Sequence, residues 1–275
     1  MSSKKIKIPA RMKRKELMEA YRAIPLSDYR IRLVRKYFLG ASSLYGCIPL
    51  GCFFQILENV HKGILTEQEF CAFAAAARGE TDGYYIVSVG TEELAKPEDI
   101  LSWCLVTPYL LMDTKAWTEV QKGQIRHGRW YVPDKEELLS YADGLYPAAE
   151  LPLKAFSLFL YAHGIAGKTS VPDILADLEE SERYRMGGKE AAMQCLDAAG
   201  IDLSSKEVKE EWEHLYEELH NHTRMPWLGG ATPEEMKDVA PLPEKAEEKG
   251  PAQQSKVYGI ENYYDTVFTK LKPKK

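Results

Sequence analysis

Apolar positions recur at helical spacing early in the chain. Behind the N-cap pair Ser27-Asp28, the residues Ile31, Val34, Phe38 and Ala41 share one face, predicting a helix over 28–44 that ends in a Tyr45-Gly46 turn. A second helix follows Pro49, with Leu50, Phe53, Phe54, Leu57 and Val60 on one side and Gly63 as its stop. Thr66-x-x-Glu69 is a capping box, in which two side chains satisfy each other's orphan amides, and it opens a third helix through Cys71, Phe73, Ala74 and Ala77. The run from Tyr84 to Val89 is β-branched and aromatic, so it reads as a strand, with a short return strand near Leu94. Three helices and a hairpin in this order predict a winged-helix-like module over 28–100.

The second half reads as helical. Trp117 and Val120 mark a short helix, 128–132 an edge strand stopped by Pro133, and Asp134-x-x-Glu137 caps the helix of Leu138, Leu139 and Tyr141. Helices are predicted over 151–163, 172–184 and 189–199. Ser204-x-x-Glu207 caps a last long one with Val208, Trp212, Leu215 and Leu219 on a stripe. The expected class is α+β, mainly α: a basic arm over 1–27, the winged-helix-like module, a helical domain over 101–236, a Pro/Glu/Lys/Gln linker over 237–257 and an aromatic, basic tail over 258–275.

Charge divides along these lines. Residues 1–40 hold twelve Lys or Arg against three acids, while 101–236 hold thirteen against twenty-three, so the net −5 conceals a basic arm on an acidic body. The arm's Lys4, Lys5, Lys7, Arg11, Lys13, Arg14 and Lys15 are candidate contacts for nucleic acid or another anion. The helix in recognition position, however, opens with Glu67 and Glu69 and carries only Arg78, and an acidic face repels phosphate. DNA recognition by that helix is therefore disfavoured.

Three constellations bear on chemistry. Ala162 to Thr169 ends in Gly167-Lys168-Thr169 and resembles a relaxed phosphate-binding loop, but a helix is predicted before it and Pro172 places the next helix start too late. His214, Glu218, His220 and His222 are weak metal candidates, because only His214 and Glu218 have the i, i+4 spacing of a helical ligand pair. A cysteine nucleophile such as Cys104 with His163 as base has no local signature. The odd set of five cysteines, Cys47, Cys52, Cys71, Cys104 and Cys195, reads as reduced packing thiols of a cytoplasmic protein. The charge-free run 37–57 contains Gly40, Gly46, Pro49 and Gly51 and is not expected to span a membrane.

Asn221, Thr223, Arg224, Gly230, Thr232, Pro233 and Glu234 form a helix exit, a compact loop and a new helix start, with Thr232 as N-cap, Pro233 at N1, and Glu234 and Glu235 at N2 and N3. Together with 41–46 and Trp130-Tyr131-Val132-Pro133, this segment resembles a group of uncharacterised proteins of Gram-positive, largely clostridial, bacteria. Many of these end in a SEC-C zinc-binding motif. The resemblance spans about 28–236. No cysteine follows Cys195, so that motif is missing and no metal role is carried over. The reading that follows is a non-enzymatic accessory or adaptor protein with a protein partner and no cofactor. A nucleic-acid-binding regulator and a nucleotide- or metal-dependent hydrolase are the alternatives.

Overall fold

The computed structural model describes residues 9–80, 82–88, 97–164, 170–184 and 188–239. The chain is mainly helical, with one small antiparallel sheet, and it divides into two units, the first reaching Leu145 and the second beginning at Tyr146.

In the first unit, α1 (Arg14–Arg22) occupies part of the expected arm. It is followed by α2 (Asp28–Tyr45), β1 (Cys47–Pro49), α3 (Leu50–Val60), α4 (Glu67–Ala77), β2 (Tyr85–Val87), a 3-10 turn over Pro97–Ser102, β3 (Cys104–Val106), α5 (Pro108–Met112), α6 (Thr114–His127) and α7 (Lys135–Ala142). Ser27 caps α2 by accepting from the Arg30 amide, and Thr66 and Glu69 form the expected capping box of α4. Phe38 of α2 is the hub of the core, its ring centroid 5.0 Å from those of Phe53 and Phe73, 5.4 Å from Phe70 and 5.9 Å from Tyr84.

The sheet departs from expectation in three ways. The segment read as a turn before Pro49 is β1, whose residues Cys47, Ile48 and Pro49 pair with Val106, Leu105 and Cys104. β3 also pairs with β2, so the order is β1-β3-β2 and the middle strand comes from beyond residue 100, where a break was expected. The return strand near Leu94 lies outside the described residues. Finally, 128–132 joins no ladder. It packs on α2 and α7 instead: Tyr45 donates to the Tyr131 carbonyl at 2.8 Å and its ring meets Trp130 edge-on at 5.5 Å, while the Tyr131 hydroxyl donates to Glu137 at 2.6 Å.

The second unit holds a 3-10 turn (Pro147–Ala149), α8 (Glu150–His163), α9 (Val171–Arg183), α10 (Gly188–Ala198), α11 (Lys206–His222), a 3-10 turn (Pro226–Leu228) and α12 (Pro233–Met236). Its core joins Phe156, Phe159 and Leu160 of α8, Ile174 and Leu178 of α9, Leu196 of α10, and Trp212 and Leu219 of α11. The N-cap of α11 is Ser205 rather than Ser204, and its hydroxyl bonds the Glu207 carboxylate at 2.7 Å. Among the described residues no helix is long and apolar enough to cross a membrane. The linker from residue 240 and the whole tail over 258–275 lie outside the described residues.

Candidate functional site

The surface of α4 follows from its composition. Phe70, Phe73, Ala74, Ala76 and Ala77 face inward, which leaves Glu67, Gln68, Ala72 and Ala75 exposed. None of these four side chains is a cation. Arg78, at the far end, lays its guanidinium over the Trp103 ring at 4.2 Å. Burial there lowers its proton affinity.

Lys4, Lys5 and Lys7 of the basic arm lie outside the described residues. Arg11 pairs with Asp82 at 3.0 Å, Lys15 reaches Glu19 of its own helix at 4.0 Å, and Lys13 and Arg14 are exposed at the start of α1. α1 is docked rather than free. The Met12 amide donates to the Gly79 carbonyl at 2.9 Å, the Tyr21 ring packs 5.2 Å from Phe73, and Tyr21 donates to Glu80 at 2.8 Å. Glu80 is 3% exposed, also accepts from Tyr84 at 2.9 Å, and is paired with Arg35. Burial first, and the Glu80 charge with it, push both tyrosine hydroxyls above their ordinary pKa, so they remain neutral donors.

Cys47 and Cys52 are poor nucleophiles. Cys47, Cys52 and Cys104 are buried. The neighbouring Cys104 thiol and burial raise Cys47, and burial raises Cys52, whereas a reactive thiol needs its pKa lowered. Cys104 belongs to the first unit, and His163, in the second, sits 3.3 Å from Glu211. The phosphate-loop pattern is preceded by helix α8 rather than a strand, and Ser170 caps α9 by accepting from the Asp173 amide. Lys168 and Thr169 lie outside the described residues.

The Asn221–Glu235 segment closes on itself. Thr223 donates to the Leu219 carbonyl at 2.7 Å, ending α11, and the Met225 amide donates to Ala231 at 2.9 Å across the loop. Gly229 and Gly230 take φ of 66° and 85°, the left-handed region where a side chain is strained. Thr232 and Glu235 make the capping box of α12. The glutamate that matters is Glu235. Glu234 turns outward to Lys237 at 3.2 Å, and Asn221 is half-buried.

Sequence reasoning missed a buried ionic cluster beneath α11. Glu179, Glu182 and Arg183 of α9 are 3%, 5% and 3% exposed. Arg183 lies 3.3 Å from Glu179 and over the Tyr146 ring at 5.2 Å. Burial outweighs that cation and pushes the Glu179 carboxyl up to about 7. Glu182 accepts from Tyr216 at 2.5 Å and meets His220 Nδ1 at 2.5 Å. A signal was present: Val171, Ile174, Leu175 and Leu178 set an inward stripe whose next positions are 179 and 182.

Outside this cluster lies a cleft of about 420 Å³ lined by Lys189, Glu213, His214, Tyr216, Glu217 and His220. Lys189 bonds Glu213 at 2.9 Å and sits 5.2 Å from the Trp212 ring. Of the expected metal candidates, His214 and His220 both line the cleft, but His220 is bound to Glu182, and His222 donates to the Glu218 carbonyl at 2.8 Å. Among the described residues no three His, Cys, Asp or Glu side chains converge as a metal needs. Compared with known protein families, curated proteins and solved structures, the chain matches none.

Proposed function

We propose that the protein is a non-enzymatic adaptor whose first unit is winged-helix-like and offers α4 to a protein partner. The order α2-β1-α3-α4-β2-β3 with strands arranged β1-β3-β2 supports the winged-helix reading. The observation that carries the functional reading is the exposed side of α4, Glu67, Gln68, Ala72 and Ala75, which presents acid and small neutral groups where a DNA reader needs cations. Membership of the SEC-C-associated bacterial group is part of the same proposal and rests on the sequence of 41–46, 130–133 and 221–236 alone.

A nucleic-acid-binding regulator is the second reading, favoured by the exposed Lys13, Arg14, Lys15 and Arg22 on α1. Duplex DNA and RNA titrated by fluorescence anisotropy separate the two. The adaptor reading expects no binding at low salt, and capture from the native host of a defined partner lost on Ala72→Arg. Tight binding with a steep salt dependence, lost when Lys13, Arg14 and Lys15 are changed to Gln, overturns it.

A further inference from the structure

α8 carries apolar residues on an exposed side as well as on the side that faces the core. Phe156, Phe159 and Leu160 are in the core, whereas Leu151, Leu158 and Tyr161 are 76%, 71% and 66% exposed. Ala162 is exposed and Ala155 half-buried beside them. At roughly 100° per residue, positions 151, 155, 158 and 162 fall within a strip about 60° wide. Their spacing of four, three and four is that of the inner seam of a two-helix coiled coil.

The sizes along the strip read large, small, large, small. Reversed, the order is small, large, small, large. A copy of the helix laid antiparallel about a two-fold axis between Phe156 and Ser157 therefore sets Leu151 against Ala162 and Leu158 against Ala155. Alternation of large and small across a seam is what lets two helices interdigitate, and a two-fold contact must be self-complementary in this way. An unrelated apolar partner would require no such reversal symmetry.

We propose that two copies of this chain associate through α8, antiparallel, with each leucine of the strip seated over an alanine of the other copy. This interaction is independent of the α4 surface. A 14-residue helix is about 21 Å long, so one seam covers less than the roughly 800 Å² per partner of a standard interface. The dimer is accordingly weak, with a dissociation constant on the order of 10–100 µM.

Sedimentation velocity of the full chain from about 5 to about 500 µM tests this, spanning the affinity just given. The expected result is a concentration-dependent shift from monomer to dimer. Leu158→Glu weakens the dimer at least about tenfold, and circular dichroism confirms that this exposed-site variant is folded. Ala155→Leu is the discriminating variant: it adds apolar surface but fills the slot that Leu158 of the second copy occupies, so it also weakens association by about tenfold. A wild-type chain monomeric throughout overturns the proposal, as does association unchanged in folded Leu158→Glu. Tighter association in Ala155→Leu overturns it too, since that is the behaviour of an unspecific apolar face.

Discussion

Arg224 meets Glu235, eleven positions later in the chain, at 2.9 Å, and the same guanidinium donates to the Gly230 carbonyl at 3.2 Å. Glu235 is simultaneously the acceptor for the Thr232 amide at 3.0 Å. One carboxylate thus caps α12 and anchors the end of α11. The loop between them is compact because Arg224 neutralises and fills its interior, being itself 7% exposed.

Arg224→Met keeps the bulk and removes the hydrogen bonds to Gly230 and Glu235. It is expected to cost about 2–3 kcal/mol, the value of hydrogen bonds to charged groups. Glu235→Ala removes cap and partner together. A double-mutant cycle by urea denaturation should give a coupling of about 1–2 kcal/mol, and additive losses would mean that the two residues act separately.

Glu80 binds α1 to its unit through Tyr21. Tyr21→Phe deletes one of several donors to this carboxylate and should cost about 1 kcal/mol. Its specific consequence is faster amide exchange over residues 14–22. Tyr84→Phe costs a similar amount and leaves that exchange slow. Glu80→Ala leaves Arg35 and two buried hydroxyls without their acceptor, with an expected loss of about 3–5 kcal/mol.

Gly40 marks the closest approach of α2 to α7. A Cβ added there would stand 2.1 Å from the Leu138 carbonyl oxygen, so the helices must separate to admit it. Gly40→Ala is expected to lower stability by about 1–3 kcal/mol even though alanine favours helix. An unchanged melting midpoint would show that the backbones can part freely.

Glu179 makes the second unit sensitive to pH. Its folded-state pKa of about 7 lies above the ordinary 4.5, so between those values the folded form holds a proton that the unfolded chain releases. Stability contributed by this group is full below about pH 4.5 and declines as pH rises through about 7. Glu179→Gln should flatten that slope and stabilise the unit above pH 8, by an amount on the order of 1–3 kcal/mol. Denaturation followed at pH 5 and pH 8 for both chains decides it, and equal slopes would place the titration elsewhere.

Features that close within a few residues are legible in the sequence. The capping pairs Thr66 with Glu69 and Thr232 with Glu235, and the Asp134 cap on the Glu137 amide, are local enough that spacing alone predicts them. The helices from α2 to α4 and from α8 to α11 follow from apolar period in the same way, whereas α1 and α5 were not expected. The sheet does not, because β1 and β3 are three residues each, too short to display alternation, and pairing between residues near 48 and 105 is fixed by distant packing. The segment 128–132 shows the converse. Its aromatic, β-branched composition suits a strand, yet Tyr45 offers Trp130 and Tyr131 a better contact than any ladder. The charged cluster of α9 escapes notice for a third reason: glutamates are normally assigned to water, and only partners from α11 make burial of Glu182 tolerable.

The strand order has a consequence for biosynthesis. A ribosome releases the chain from its N-terminus, so Cys47–Pro49 and Tyr85–Val87 both emerge before Cys104–Val106, the strand to which each of them bonds. Until that central strand clears the exit tunnel, the nascent chain holds two strand segments whose backbone groups are unmatched, the condition under which chains pair wrongly with their neighbours. Closure of the sheet is thereby timed to the emergence of its central strand. The codons being read while that strand clears the tunnel, downstream of position 106, are where a change of elongation rate would most alter the yield of folded protein.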